Sequence, residues 1–314
     1  MEQQALTGLV IANLRYHCLV EIDNNDKENS LNAVPKILRC SMRGKQKGIV
    51  CGDRVEVTLP KQGEGVIEKR LERKNELARP NIRGHKEVLT ANLDQLIIVA
   101  AVTPVFDPEL IDRYLATAEL MPSEIILVLN KVDLADEKVL LAWQEFKSLP
   151  YTCIETSIYL PEHPGIAELK THLQNKISVL VGQSGVGKSS LLNCLIPGHD
   201  IQTQELSAAL DEGKHTTTVA SSYVLDPEDH TAGRVIDSPG VRDFAPPPIP
   251  AEEVAEGFIE IREASDECKF RNCQHLREPQ CAVKAAIEAG KISERRYKSY
   301  RHLRDLMQKL YRAY

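Results

Sequence analysis

The stretch that most constrains this chain is Gly182 to Ser189, G-Q-S-G-V-G-K-S. It fits the pattern G-x-x-x-x-G-K-[ST], with Gly182, Gly187, Lys188 and Ser189 in the four fixed places. Ile177 to Val181 is a short apolar run that predicts a buried strand, and Ser190 to Leu195 opens a helix. A loop between a strand and a helix can curl its N–H groups around phosphate oxygens, because glycines let the backbone come close. In this reading Gly182, Gln183, Ser184, Gly185, Val186, Gly187 and Ser190 form the cradle. Lys188 places its ammonium between the β and γ groups, and Ser189 ligates Mg2+ through its hydroxyl. A chance glycine-rich turn is the plain alternative, and the strand–loop–helix context argues against it. The expected ligand is a nucleoside triphosphate.

Asn130-Lys131-Val132-Asp133 follows another apolar run, Glu124 to Leu129, and so stands at a strand end. There the Asp133 carboxylate can accept from both N1–H and the 2-amino group of guanine. Adenine offers no such pair of donors and would leave a buried carboxylate unpaired. The Lys131 stem covers one face of the base, and Asn130 braces the neighbouring loops. A strand from Tyr151 ends in Glu155-Thr156-Ser157, a second base-side loop in which a backbone N–H meets guanine O6.

Asp237-Ser238-Pro239-Gly240 supplies D-x-x-G after a strand from Val235. Asp237 is expected to hold Mg2+ through water, and the Gly240 N–H to sense the γ-phosphate. In Thr216-Thr217-Thr218, the Thr217 hydroxyl is expected to complete the Mg2+ shell. The order is base motif, second base loop, phosphate loop, threonines, D-x-x-G, whereas the usual GTPase places its base motifs last. The order predicts a circularly permuted GTPase domain, an arrangement tolerated when chain ends lie close together. Val241 follows Gly240 where many GTPases carry the Gln that orients the attacking water, and valine cannot do so. His215 is the nearest residue able to position that water; a surface loop histidine is the equal alternative. Phe244 to Pro250 reads as a stiff linker, which tethers the C-terminal module to the switch segments and makes that module a candidate lever.

Ahead of this domain, Leu6 to Leu71 carries about five short alternating runs broken by polar turns. They predict a small β-barrel of the oligonucleotide-binding (OB) type, with an SH3-like barrel as the alternative. Arg70 to Lys86 reads as a basic connector, and beyond it strand and helix alternate as in a doubly wound α/β sheet. The expected domains are a barrel over 1–72, a GTPase domain over 73–247 and a helical zinc-binding domain over 248–314. Charge is unevenly spread: Lys36 to Lys86 is net +8, Lys291 to Tyr314 net +6, and Glu87 to Gly290 net −17. Two basic flanks fit phosphate backbones, although solvated Lys/Arg faces without a partner give the same counts.

Cys268-x4-Cys273-x-His275-x5-Cys281 offers three thiolates and an imidazole, a donor set that fits one structural Zn2+. Unconnected cysteines or a redox pair are the alternative. The other five cysteines, Cys18, Cys40, Cys51, Cys153 and Cys194, are scattered and read as small hydrophobes. The longest apolar run, Leu96 to Val102, is far below the ~20 residues of a membrane span. The N-terminus lacks a signal-peptide pattern, so the expected place is the cytoplasm.

The barrel, the permuted motif order and the Cys/His module together resemble the bacterial small-subunit ribosome biogenesis GTPases, the RsgA/YjeQ family, across essentially the whole chain. G-Q-S-G-V-G-K-S-S, G-K-H-T-T-T, N-K-V-D and the Cys/His spacing carry that resemblance. It implies a late-acting, monomeric factor that binds GTP and GDP, docks on the 30S subunit through 16S rRNA, and hydrolyses GTP under stimulation by the subunit. It also implies His215 as the hydrolysis residue and Thr217 as the switch threonine. A regulatory switch whose protein partner docks on the zinc module is the competing reading.

Overall fold

A computed structural model describes residues 5–14, 16–23, 36–42, 48–59, 64–80, 86–196, 220–229, 231–237 and 249–312. The first five strands are β1 (Ala5–Asn13), β2 (His17–Ile22), β3 (Ile37–Met42), β4 (Arg54–Thr58) and β5 (Gly65–Arg70). They run β1-β2-β3-β5-β4, and β4 returns to pair with β1, which closes a barrel. The β3–β5 contact is parallel and the others antiparallel, the connectivity of an OB-type barrel rather than an SH3-like one. Alternation sorts the side chains: Val55 and Val57 point inward onto Val10, Val20, Cys40 and Ile67, while Arg54, Glu56 and Thr58 sit at the surface.

The basic connector is structured. Within it β6 (Glu76–Pro80) pairs antiparallel with β7 (Lys86–Ala91). Leu77 and Ala91 are buried, and the charges that hid the strand pattern are paired across it, Lys86 with Glu76 at 2.6 Å and Arg79 with Glu87 at 3.1 Å. Arg73 reaches back to the fully buried Asp53 of the barrel at 2.7 Å. Part of the basic excess is therefore neutralised inside the fold.

The central sheet contains β8 (Gln95–Ala101), β9 (Glu124–Asn130), β10 (Thr152–Thr156), β11 (Ile177–Val181), β12 (Ser221–Val224) and β13 (Arg234–Asp237). Their order is β10-β9-β8-β11-β13-β12, parallel except for β12. Helices α1 (Pro108–Glu119) and α2 (Glu137–Lys147) cover one face, and α3 (Gly165–Leu173) and α4 (Lys188–Leu195) the other. β8 is buried on both faces: Leu96 and Ile98 pack toward α1 and α2, Ile97 and Val99 toward α3 and α4. Asp107 caps α1 by accepting from the Glu109 and Leu110 N–H groups, with Pro108 in the first turn. The antiparallel edge strand β12 was not legible in the polar sequence around it. Its far side meets the barrel, Ser221 opposite Ala12, so barrel and α/β sheet form one continuous sheet.

Helices α5 (Ile259–Ser265), α6 (Ala282–Glu288) and α7 (Glu294–Arg312) form the C-terminal module. Phe258, Ile261, Val283, Tyr300, Leu303 and Met307 share its core, together with Ala116 of α1. A Cβ on Gly257 would lie 2.5 Å from the Ala116 carbonyl oxygen, so only glycine lets the two elements approach this closely. The module expected to hang from a linker is thus also packed onto α1. There Asp112, fully buried, receives Arg295 at 2.6 Å and Arg296 at 2.8 Å.

Candidate functional site

The loops after β9, β10 and β11 emerge at the carboxyl ends of parallel strands, where open α/β sheets bind ligands. They enclose a cleft of about 400 Å3. Ser184, Gly185, Gly187, Lys188, Ser189 and Ser190 line it from the β11 side, and Asn130, Lys131 and Asp133 from the β9 side. Gly182, Val186 and Ser157 are buried behind that wall, and Gln183 is exposed. The Lys188 ammonium donates to the Gly182 carbonyl at 2.7 Å and the Gln183 carbonyl at 2.8 Å. Gly187 has φ +95°, and a Cβ there would lie 2.5 Å from Asn130 Nδ2. Glycine at that position lets the base motif touch the phosphate loop.

The base-side motif is held by a chain of hydrogen bonds. Asn130, 2% exposed, donates from Nδ2 to the Val186 carbonyl at 2.9 Å and accepts from Thr156 Oγ1 at 3.0 Å. Lys131 sits in the left-handed region, φ +62°, and its ammonium donates to Gly185 O at 2.7 Å and Thr103 O at 3.0 Å. Ser157 Oγ donates to Asp133 Oδ1 and accepts from the Tyr159 N–H. Phosphate loop and base motif are thus brought together although 54 residues separate Lys131 from Gly185. The sequence reading missed Thr103, Ile158 and Tyr159. The last two also line the cleft, and the signal for them was their place directly after Ser157.

Asp237 ends β13, one residue beyond the Val179–Ile236 pair of the parallel β11–β13 ladder. It therefore comes out at the same sheet edge, one strand over from the phosphate loop. His215, Thr217 and Gly240 lie outside the described residues.

The second cluster is in the C-terminal module. One ligand atom from each of Cys268, Cys273, His275 and Cys281 lies within 4.8 Å of the others. His275 Nδ1 is 3.5 Å from Cys281 Sγ and 3.7 Å from Cys268 Sγ. Its Nε2 is 3.0 Å from Ser265 Oγ, and that hydroxyl already donates to the Ile261 carbonyl at 2.6 Å. Ser265 can then only accept, which puts the imidazole proton on Nε2 and turns the Nδ1 lone pair toward the sulfurs. Burial pushes the His275 imidazolium below its usual range, keeping the ring neutral as a ligand must be. Glu278 fastens the knuckle: desolvation opposes its carboxylate, yet its own N–H and those of Gln274, Leu276 and Arg277 pull it down to about 2. The donor set and its closeness fit one tetrahedral zinc ion.

A family model described as RsgA GTPase matches residues 70–246. The chain belongs to that family. The small ribosomal subunit biogenesis GTPase RsgA of Ectopseudomonas mendocina is 40% identical over 301 residues, covering 95% of this chain and 84% of its own length. The Pseudomonas aeruginosa PAO1 protein of the same name is 40% identical over 303 residues, covering 95% of this chain and 84% of its own. The crystal structure of YjeQ from Thermotoga maritima superposes with a TM-score of 0.77 at 34% identity, over 97% of this chain and 99% of that one. YloQ, described as a circularly permuted GTPase, does so with a TM-score of 0.73 at 30% identity, over 98% and 96%. Family and permuted neighbours make this chain a GTP-hydrolysing enzyme with a permuted GTPase domain. Among the described residues no helix is long and apolar enough to cross a membrane.

Proposed function

We propose that this chain acts in late maturation of the small ribosomal subunit, binding 16S rRNA in its GTP state and leaving after hydrolysis. The observation that carries the reading is the hydrogen-bonded meeting of N-K-x-D and the phosphate loop in one cleft. Its support from relatives is that proteins named for small-subunit biogenesis are 40% identical over 95% of the chain. We divide the chain into a barrel (1–72), a GTPase domain (73–247) and a zinc module (248–314), and expect a cytoplasmic monomer.

In this mechanism Asp133 reads the guanine edge, with Lys131 along one face of the base and Ser157 fixing the carboxylate. Lys188 exchanges its two loop carbonyls for β- and γ-phosphate oxygens, a stronger charge-assisted contact. Mg2+, held by Ser189, Thr217 and Asp237, would neutralise charge developing between the two phosphates. His215 orients the attacking water, which Val241 cannot do, and Gly240 follows the γ-phosphate. Zinc on Cys268, Cys273, His275 and Cys281 is structural and staples a module with a small core.

The test is GTP turnover by the pure protein, alone and with isolated 30S subunits, across a salt series. Stimulation that fades with salt supports an rRNA-docked switch, because phosphate contacts release counterions. Absence of stimulation, with salt-insensitive binding to a protein, would favour the regulatory switch instead. His215→Ala should bind GTP yet lose the stimulated rate. If that rate stays at wild-type level, His215 is a loop residue only.

A further inference from the structure

We propose that Glu21, a residue of the barrel, is a positioning residue for GTP hydrolysis, acting through Arg234 on the strand that presents Asp237. The proposal rests on the reading of Asp237 as a Mg2+ residue. Arg234 begins β13 and Asp237 ends it. The Arg234 guanidinium donates from NH2 to Glu21 Oε2 on β2, and from NH1 to Ser222 Oγ on β12 at 3.4 Å. The other Glu21 oxygen, Oε1, lies 3.2 Å from Lys36 Nζ. Both partners of the central pair have only 16% of their side chains exposed. One arginine thus ties together the barrel, β12 and β13.

The backbone repeats the connection. Ser221 lies opposite Asp237 in the β12–β13 ladder and opposite Ala12 in the β12–β1 contact. A single row, Ala12–Ser221–Asp237, therefore runs from the barrel to the carboxylate. Ala12 is fully buried beside Leu9, Ile11 and Leu19, with Ile177 of β11 packed against them, so the barrel end of the row is set in a core. β12 comes after the threonine run in sequence and β13 runs into D-x-x-G. The barrel is grafted onto the edge of the sheet formed by β12 and β13, whereas the C-terminal module sits on α1.

Three residues of strand span ~10 Å, so a tilt about the Arg234 anchor moves the other end of β13 by a chemically significant distance. Glu21 and Arg234 form a half-buried pair; such pairs contribute little net stability against an apolar substitute, and the role assigned to this one is to hold a single geometry. Here the geometry fixed is the height of Asp237 relative to the phosphate loop. Since rRNA would engage the barrel, the same link gives a bound RNA a direct hold on the hydrolytic edge.

The experiment measures GTP turnover against Mg2+ concentration for the full-length wild type, Glu21→Gln, Glu21→Asp and Asp237→Ala. Affinity for N-methylanthraniloyl-GDP in EDTA reads the nucleotide cleft alone. Glu21→Gln should lower kcat by about tenfold and raise the Mg2+ requirement, with GDP affinity within about twofold of wild type. Glu21→Asp should recover part of the loss. A purely structural role would lower GDP affinity and rate together and leave the Mg2+ midpoint in place. If Glu21→Gln is poorly folded, Glu21→Gln/Arg234→Gln leaves no lone buried charge and should show the same Mg2+ shift. Wild-type Mg2+ dependence in the Glu21 variants, with a shift in Asp237→Ala, overturns the link and leaves the Asp237 reading standing. Wild-type Mg2+ dependence in Asp237→Ala removes that reading, and the proposal falls with it.

Discussion

Replacing Asp112 with alanine should release the C-terminal module from α1 before the rest of the protein unfolds. Asp112 is fully buried and bonds Arg295 Nη1 at 2.6 Å and Arg296 Nη1 at 2.8 Å. Removing one partner of a buried pair costs about 3–5 kcal/mol, mostly from the charge left behind. Arg296 is only 1% exposed but keeps Glu260 at 2.7 and 2.8 Å and stacks over Phe258 at 4.9 Å. Arg295 is 31% exposed and keeps Glu145. Those retained partners put Asp112→Ala near the lower end, about 3 kcal/mol, or roughly a hundredfold in the docking equilibrium constant. Hydrogen exchange of α7 amides read by mass spectrometry should rise by that factor, with the barrel amides unchanged. The triple variant Asp112→Ala/Arg296→Met/Glu260→Gln should be less destabilised than the single one, since it removes the charges together. Wild-type α7 exchange in Asp112→Ala, or a triple variant worse than the single one, would refute the reasoning.

Three other perturbations probe separate parts of the chain. Asp133→Asn should weaken GTP binding by at least about tenfold, because an amide oxygen accepts less strongly and its NH2 faces the guanine donors. Xanthosine triphosphate, with a carbonyl in place of the 2-amino group, accepts from that NH2 and should bind the variant more tightly than wild type, and competition binding separates the two. Cys273→Ala should lose about one zinc per chain by native mass spectrometry and speed proteolysis of the C-terminal module; full zinc retention would contradict the four-ligand site. In the barrel, desolvation opposes the Asp23 carboxylate, yet hydrogen bonds from Arg54 and Thr7 hold it below its ordinary 3.8. A depressed carboxyl stabilises the fold above the unfolded value and loses that contribution as pH falls below 3.8, through the folded value. Asp23→Asn should flatten the acid limb of barrel stability, and an unchanged limb by urea titration at several pH values would count against it.

The cleft was legible because its chemistry is written in short local patterns. N-K-V-D, G-Q-S-G-V-G-K-S and the Cys/His run each fit within a few residues, and the strands before them are plain apolar runs. The barrel came from alternation, though choosing OB-type over SH3-like needed the parallel β3–β5 contact, which no local pattern encodes. The β6–β7 hairpin was hidden because its strands carry Glu76, Arg79, Lys86 and Glu87, and charges paired across a ladder look like a polar connector in one dimension. Ile158 and Tyr159 gave no motif, only adjacency to Ser157.

Local patterns cannot carry how the modules are joined. Arg234 meets Glu21 across 213 residues, and Arg295 meets Asp112 across 183. Both are arginines that composition counts as surface charge, and both are neutralised between modules. The permuted motif order alone points to the C-terminal module as lever, because the chain enters it from the switches. Sheet order points elsewhere: the strands next in sequence to the switches, β12 and β13, lie at the edge where the barrel joins, while the zinc module rests on α1, the helix between β8 and β9 in the chain. Chain order and sheet order diverge in a permuted domain. On the proposed Glu21–Arg234 link, the barrel, first in the chain, directly contacts β12 and β13, the strands that follow the threonine run and lead into D-x-x-G in sequence.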